Sequence, residues 1–401
     1  MSAAKLHIDI AILGGGVAGL WLLNRLRNRG YSAVLLESTA LGSGQSINSQ
    51  GIIHSGIKYG IDSGGGLPST ALAAMPEAWR ECLEGTGELD LRQCRVLSDH
   101  VLLCTGAHLP ARIAGTLAAN MLISHVSRVG PDDYPRPLRS ADLQGALYRL
   151  HEPVLDLPSL IAALAEPHAD AIRLIDWQQA SLRTREAHAC IELPGCTIQP
   201  RVLLLTAGAG NAQLLELLGA RGPAMQRRPL RQVLLRHARL TPLYAHFLGT
   251  GATPRVSITS HYTRSGELLW YLGGQLASAG VASPEKALIA QARRELGALL
   301  PWLDLGQAEW STFGVDRAEA EPRWLGRPRG AFVGAVSGVE NALVTWPIKL
   351  ALCPELGQRV ERILVERAVL PQHPQALSQL PLNDQPPLAE PCWEGRLAWA
   401  G

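Results

Sequence analysis

The chain has 401 residues, enough for roughly two or three domains of ordinary size around a sizeable core. It is 47% hydrophobic and 18% charged with a formal net charge of +2, a soluble globular composition with no overall electrostatic reason to bind nucleic acid or an anionic membrane. Its seven cysteines form no CxxC pair and no zinc spacing, which predicts buried thiols without a metal, and no signal-like or membrane-spanning apolar run stands out, so the cytoplasm is expected.

The first unit reads as strand, turn, helix, strand. Ile8 to Leu13 is mostly apolar and β-branched, as expected of a strand buried on both faces. Gly14-Gly15-Gly16-Val17-Ala18-Gly19 follows, then a helix from Val17 to about Arg29 with Gly30 at its C-cap, then a strand from Ala33 to Leu36 that ends at Glu37. A bare GxGxxG is a weak signal; a strand before it, a helix after it and an acid about twenty residues on make it specific. Gly14 permits the tight turn, Gly16 lets the backbone approach a pyrophosphate, and Gly19 lets the helix pack close to the strand. The diphosphate would sit on the amides of Val17 and Ala18 at the front of the helix, where the dipole favours negative charge. Glu37 would accept hydrogen bonds from the adenosine ribose, a group that FAD and NAD share.

Thr39 to Gly66 is rich in Gly, Ser and Asn. Arg95 to Cys104 reads as a strand, and Asp156 as the N-cap of a helix with Pro158 in its first turn. Arg201 to Thr206 is another buried strand, closed by Ala207-Gly208-Ala209-Gly210-Asn211. Val256 to Thr259 and Leu268 to Leu272 flank the turn Arg264-Ser265-Gly266, and a helix runs from about Pro284 to Leu300. A strand from Ala331 to Ala335 is followed by a glycine-containing loop and a helix beginning near Trp346-Pro347. From Pro371 onward the repeated prolines predict an irregular tail.

The segment Ser46-Ile47-Asn48-Ser49-Gln50-Gly51-Ile52-Ile53-His54-Ser55-Gly56-Ile57-Lys58-Tyr59 distinguishes the two cofactors. It resembles the D-amino-acid-oxidase-like FAD-dependent oxidoreductases, which include glycine and sarcosine oxidases. Ile53 to Tyr59 looks most like the branch with L-2-hydroxyglutarate and glycerol-3-phosphate dehydrogenases. In that family the segment follows the pyrophosphate and ribityl chain to the flavin. The resemblance therefore implies noncovalent FAD, with Ser38, Gln45, Ser46, Ser49, Gln50, Gly51 and Ile52 against it. Glu152 to Leu157 resembles the family's "glutamate, apolar, Asp-Pro" step from strand to helix, and Leu205 to Asn211 its alanine-glycine turn near the cofactor, which adds Ala207, Gly208 and Asn211. Gln226 to Leu234 resembles the link into the substrate domain. The loop Ser337 to Val344 falls where the family wraps the flavin's pyrimidine edge. Gly338, Glu340, Asn341, Ala342 and Leu343 would then touch the ring, and a helix starting there would point its positive end at it. The implied architecture is α/β: a Rossmann-like FAD-binding domain from 1–90, 145–225 and 325–401, interleaved with a mixed-sheet α+β substrate domain from 90–145 and 225–325.

On the substrate side, His54 is a candidate general base, since a hydroxyl must lose its proton as hydride leaves; the alternative is a structural histidine near the cofactor. Lys58 would hold an anionic substrate or lie on the surface, and His261, Tyr262 and Tyr271 fall on the sheet expected to cover the flavin. Relatives that oxidise amino acids place a carboxylate-clamping arginine in a glycine-apolar-arginine-proline string. Here Phe313-Gly314-Val315-Asp316-Arg317-Ala318 puts Asp316 there and Arg317 one residue on, which faces the other way on a strand. A bulge would be needed to bring Arg317 or Arg323 to the pocket. The expected function is hydride transfer from a small hydroxy acid or polyol to FAD, which oxygen, a quinone or another acceptor reoxidises. The alternatives are an amine or amino-acid oxidase and a flavin-binding protein without turnover. A macromolecular substrate finds no basic, aromatic-interleaved patch. The expected partner is a small molecule, and the expected state a monomer or weak homo-oligomer.

Overall fold

From Ile8 onward the strand Ala4–Leu13 is buried on both faces because it lies between two parallel neighbours in a sheet that is covered on both sides. Its partners run from Ala4 opposite Cys196 to Leu13 opposite Leu205, and from Ile10 opposite Ala33 to Leu13 opposite Leu36. Ile10 and Ile12 pack on the first helix, Val17–Asn28, whereas Ala11 and Leu13 pack on the opposite side with Ile191 and Leu182 of an antiparallel hairpin. The computed structural model describes residues 4–56, 70–106, 126–249, 253–321, 330–372, 380–395 and 397–400. In spatial order the main path of this sheet is Phe332–Val336, Val339–Trp346, Cys196–Leu205, Ala4–Leu13, Ala33–Glu37 and Ile172–Leu174.

A second sheet runs Glu309–Ala320, Met225–Arg236, Leu268–Gly273, Val256–Tyr262, Ala245–Phe247, Val101–Cys104, Leu147–Leu150 and Val126–Arg128. It is antiparallel except where Ala245–Phe247 pairs with Val101–Cys104. Strand alternation sorts its faces. Val233, Leu235, Ile258, Trp270 and Leu272 bury against Leu288, Ala292 and Leu296 of the helix Glu285–Leu299. Gln232, Tyr271 and Ser257 point to the other side, which borders a large cleft between the two sheets. The strand Leu147–Leu150 belongs to this second sheet, past the boundary expected at 145.

Two elements differ from the sequence expectation. Arg95 to Cys104 is broken into Val96–Ser98 and Val101–Cys104, because Ser98 folds back on itself: its hydroxyl donates to His100 O at 2.6 Å. Val339–Trp346 is a strand rather than the loop that was to lead into a helix. Gly338, at φ +80°, turns the chain tightly after Phe332–Val336, and the following residues pair in parallel with Leu203–Leu205. The long helix starts only at Cys353 and runs to Glu366. No helix among the described residues is long and apolar enough to cross a membrane.

Asp156 caps the helix Leu157–Ala165 as the sequence suggests, with its Oδ2 accepting from Ser159 N at 3.2 Å and its Oδ1 from Arg95 Nη2 at 2.8 Å. Asp156→Ala is expected to cost about 1 kcal/mol, read as a lower denaturant midpoint at unchanged slope. An unmoved midpoint would mean that the cap is redundant.

Candidate functional site

The cleft is organised by the turn between the first strand and the first helix. Gly14 has φ +115° and lies so close to the end of the Cys196–Leu205 strand that a Cβ would come within 2.6 Å of the Ala207 backbone. A Cβ on Gly19 would sit 2.0 Å from the Gly14 carbonyl oxygen. These two glycines set the loop. Gly16 is different: as N-cap it offers no side chain to the first-turn amides, and a Cβ there would meet Ser46 Oγ at 3.1 Å. Those amides have no acceptor within their own helix, so their dipoles suit an anion. Val17 N donates to Ser46 Oγ at 3.2 Å. At the tip of the next strand Glu37 is 8% exposed, with one oxygen accepting from Gly15 N at 2.6 Å and the other from Thr39 N and Oγ1 at 2.9 Å. Oε2, which accepts only from Gly15 N among these contacts, keeps a second lone pair for a ligand hydroxyl.

The cleft encloses about 1580 Å³. That exceeds the ~300–1,000 Å³ of a pocket for one drug-sized molecule and suits a dinucleotide with a small substrate beside it. It runs from Trp177–Arg183 and Leu214, over the glycine loop, to His54, His246, Gln232 and Tyr271. Of the expected cofactor contacts, Gly14, Gly16, Val17, Ala18, Glu37, Ser38, Gln45, Ser46, Ser49, Gln50, Gly51, Ile52, Ala207 and Gly208 line it.

Others do not. Gly19 is spent on helix–strand packing, and Asn211 works behind the wall. Asn211 Oδ1 accepts from Ala207 N at 2.8 Å while its amide donates to Leu205 O and Thr345 O, which fixes the turn that meets Gly14. Gly338 and Glu340 sit at the far end of a hairpin, and Asn341, Ala342 and Leu343 are buried within the sheet. Asn341 donates to Ala189 O and Pro200 O there. Their place at the cleft is taken by Thr345, Trp346, Pro347, Ile348, Lys349 and Leu350. The sequence signal for that segment was Pro347, which cannot extend a central strand. Beside it Ile348 has φ +57°, a conformation rare for a β-branched residue.

At the substrate end, backbone pairing aligns two distant segments. Leu155 N donates to Gly51 O and Ile53 N to Pro153 O, both at 2.9 Å, around the bridge between Ile52 and Val154. This register sets His54 and Ser55 against Glu152, which is 1% exposed. Glu152 Oε1 accepts from Ser55 N at 2.7 Å and Ser55 Oγ at 2.6 Å, and Oε2 lies 3.1 Å from His54 Nδ1. His246 stacks on His54 with ring centroids 5.7 Å apart, and its Nδ1 is 2.8 Å from Ser257 Oγ. Potential ligand atoms of His54, Glu152 and His246 lie within 4.8 Å of one another, and within this cluster Glu152 and His54 form a carboxylate–imidazole pair.

Tyr271 also borders the cleft; its hydroxyl donates to Asn48 O at 2.6 Å, and burial pushes the phenol up, so it remains protonated. Arg317 reaches the cleft without a bulge. The register between its strand and Met225–Arg236 is unbroken and sets it opposite Arg228, which pairs with Glu319 at 3.2 Å. Asp316 borders the cleft at its solvent side, 44% exposed and 3.5 Å from Arg227. His261 and Tyr262 do not line the cleft. His261 shares a sheet face with Ser257, but the C-terminal tail covers that stretch, and Trp393 packs on His261 at 5.2 Å between centroids. The tail is anchored by reciprocal backbone bonds between Ala400 and Trp310. Lys58 and Arg323 lie outside the described residues.

Burial pushes the His261 imidazole down to about 4. Between pH 4 and 6.5 the unfolded chain therefore binds a proton that the folded chain refuses. His261 contributes its stability above about pH 6.5, and up to roughly 3 kcal/mol is lost as pH falls towards 4. The melting temperature of the wild type should fall more steeply over that window than that of His261→Gln; parallel falls would clear His261 of the effect.

A family profile described as FAD dependent oxidoreductase matches residues 9–341. A probable FAD-dependent oxidoreductase of Pseudomonas aeruginosa is 48% identical over 391 residues, 97% of this chain and 98% of that protein. The crystal structure of the P. aeruginosa protein matches with a TM-score of 0.83 at 44% identity, over 98% of this chain and 99% of that one. Glycine oxidase from Geobacillus kaustophilus matches at TM-score 0.62 and 19% identity, over 90% of this chain and 95% of its own. L-α-Glycerophosphate oxidase from Mycoplasma pneumoniae, solved reduced with FAD bound, matches at TM-score 0.62 and 13% identity over the same shares. At such identities the last two are similar in fold alone.

Proposed function

The chain belongs to the family of FAD-dependent oxidoreductases, and from that premise we propose that it oxidises a hydroxyl-bearing carbon of a small hydroxy acid or polyol, with His54 receiving the hydroxyl proton. The observation that carries this reading is the pairing of His54, on the wall of the cleft, with the buried carboxylate of Glu152. A hydroxyl has to surrender its proton as its carbon surrenders hydride, whereas a neutral amine can use its own lone pair. An imidazole backed by a carboxylate suits the first task. Asp316 stands where amino-acid-oxidising members of the family clamp a carboxylate, so an anionic substituent of the substrate would have to be met by other side chains.

The residues present fit FAD. The uncapped helix start suits the diphosphate, Glu37 the adenosine ribose, and Gln45 to Ile52 the ribityl chain and ring, with Thr345 to Leu350 along the ring's edge. When bound, FAD accepts the hydride and later passes its electrons to oxygen, a quinone or another acceptor. Around it, Arg317 and Arg228 would neutralise an anionic substituent of the substrate, and His54 would take up the proton at Nε2. Tyr271, protonated throughout, would hold the Asn48 backbone and so keep the cofactor loop still.

Anaerobic bleaching of the FAD-loaded protein tests the reading. The panel should include 2-hydroxy acids, polyol phosphates, amino acids and N-methyl amines. Bleaching by the first two classes is expected. Bleaching by amines alone would replace the proposal with amine oxidation, and bleaching by none would leave a flavin binder without turnover.

A further inference from the structure

We infer that Glu152 is the positioning residue for His54, holding its ring through Nδ1 so that Nε2 is the atom presented to the cleft. This rests on the reading of His54 as the proton acceptor and names what makes it competent. Glu152 Oε1 accepts from both the Ser55 N–H and hydroxyl, and with Oε2 likewise an acceptor the imidazole 3.1 Å away donates from Nδ1. A neutral imidazole has one donor and one acceptor, and with the proton on Nδ1 the lone pair falls on Nε2. The carboxylate itself cannot turn away, because Ser55 holds its other oxygen through both the backbone N–H and the hydroxyl.

The ring is restrained from its other side too. His246 stacks on it at an interplanar angle of 29°, and Ser257 fixes His246 by a 2.8 Å contact at Nδ1. The parts come from four places in the chain, and the backbone pairing of residues 51–53 with 153–155 brings His54 and Glu152 together. When a substrate hydroxyl gives up its proton, the O–H bond breaks and an N–H bond forms at Nε2. The hydride leaves the same carbon for the flavin, and the C–O bond becomes a carbonyl. The imidazolium that results would be compensated by the Glu152 carboxylate beside it.

The test uses the FAD-loaded protein labelled with 15N-histidine, its His54 resonances assigned by their loss in His54→Gln. At a pH where the ring is neutral, the wild type should show His54 protonated on Nδ1 and bare on Nε2, and Glu152→Gln should show a mixture. With lactate and glycerol 3-phosphate as probes, the saturating rate of anaerobic bleaching in Glu152→Gln should fall about 10²- to 10³-fold while the apparent Kd stays within about threefold. Glu152→Asp should recover part of the rate. A wild-type ring protonated on Nε2, an unchanged rate in Glu152→Gln, or a stoichiometric divalent metal at His54 and His246 in the purified protein would each overturn the inference. The wild-type tautomer is read without any Glu152 variant having to fold. If His54→Gln bleaches like the wild type, it is the base reading that fails, while the tautomer still reports on Glu152.

Discussion

Gly14→Ala is expected to yield a colourless protein that does not take up added FAD. The substitution adds one methyl group, but the methyl has nowhere to go. Gly14 holds φ +115°, and the atoms its Cβ would meet are Ala207 Cα and N at 2.6 Å and the Thr206 carbonyl carbon at 2.8 Å. All three are backbone, so no side chain can swing aside. The loop is further tied by Gly14 N donating to Leu36 O at 2.9 Å and by Thr206 Oγ1 donating to Gly14 O at 2.8 Å. Left-handed strain alone costs about 1–3 kcal/mol, and relief of the clash has to part the two central strands where their ends hold the cleft. A loss of at least about a hundredfold in FAD affinity follows, some 2.7 kcal/mol, measurable as the FAD-to-protein ratio and by flavin fluorescence titration. Gly16→Ala is the control. Its Cβ would meet Ser46 Oγ at 3.1 Å, so weakened binding there reports on close approach of the diphosphate, with the fold of the loop intact. A Gly14→Ala protein as yellow as the wild type would show that this turn does not organise the site.

That turn was legible in the sequence because its chemistry is local: six consecutive residues, a strand before and a helix after. What the sequence did not reveal depends on partners far along the chain. Glu152 could be placed at a strand-to-helix step, but its pairing with His54, 98 residues away, follows from a backbone register that no local pattern encodes. His261 was expected on the sheet that covers the flavin, and it faces the same side of its strand as Ser257. Only one of them borders the cleft, because Trp393 of the tail lies on the other. The part of the C-terminal segment that borders the cleft lies several residues later than expected. Val339–Trp346 has the apolar, β-branched character of an inner strand, and the resemblance led to a loop being read over it. Arg317 was held back for want of a bulge, although it faces the cleft on an unbroken strand; the twelve paired positions of Glu309–Ala320 and Met225–Arg236 carry it there.

His54→Gln is the variant that separates the two chemistries this site could perform. Glutamine can offer an amide N–H to Glu152, so the buried carboxylate keeps a donor and the fold keeps its packing. Alanine would leave that acceptor short, a loss of about 1–3 kcal/mol that would confuse stability with mechanism. Glutamine has no basic nitrogen, however, and cannot take up a proton. If a hydroxyl is the reacting group, the saturating rate of anaerobic bleaching should fall about 10²- to 10⁴-fold, the usual contribution of a positioned base, at unchanged FAD content. The same variant acting on an amine should lose less than about tenfold, since a neutral amine reaches the flavin with its lone pair already available. Measured side by side on lactate, glycerol 3-phosphate and sarcosine, the ratio of the two losses is informative even if the best substrate is none of them. A large loss confined to the hydroxyl compounds assigns the proton to His54. Equal, small losses for every compound would leave the histidine as a strut between Glu152 and His246, and the proton would then leave by a route that does not use His54.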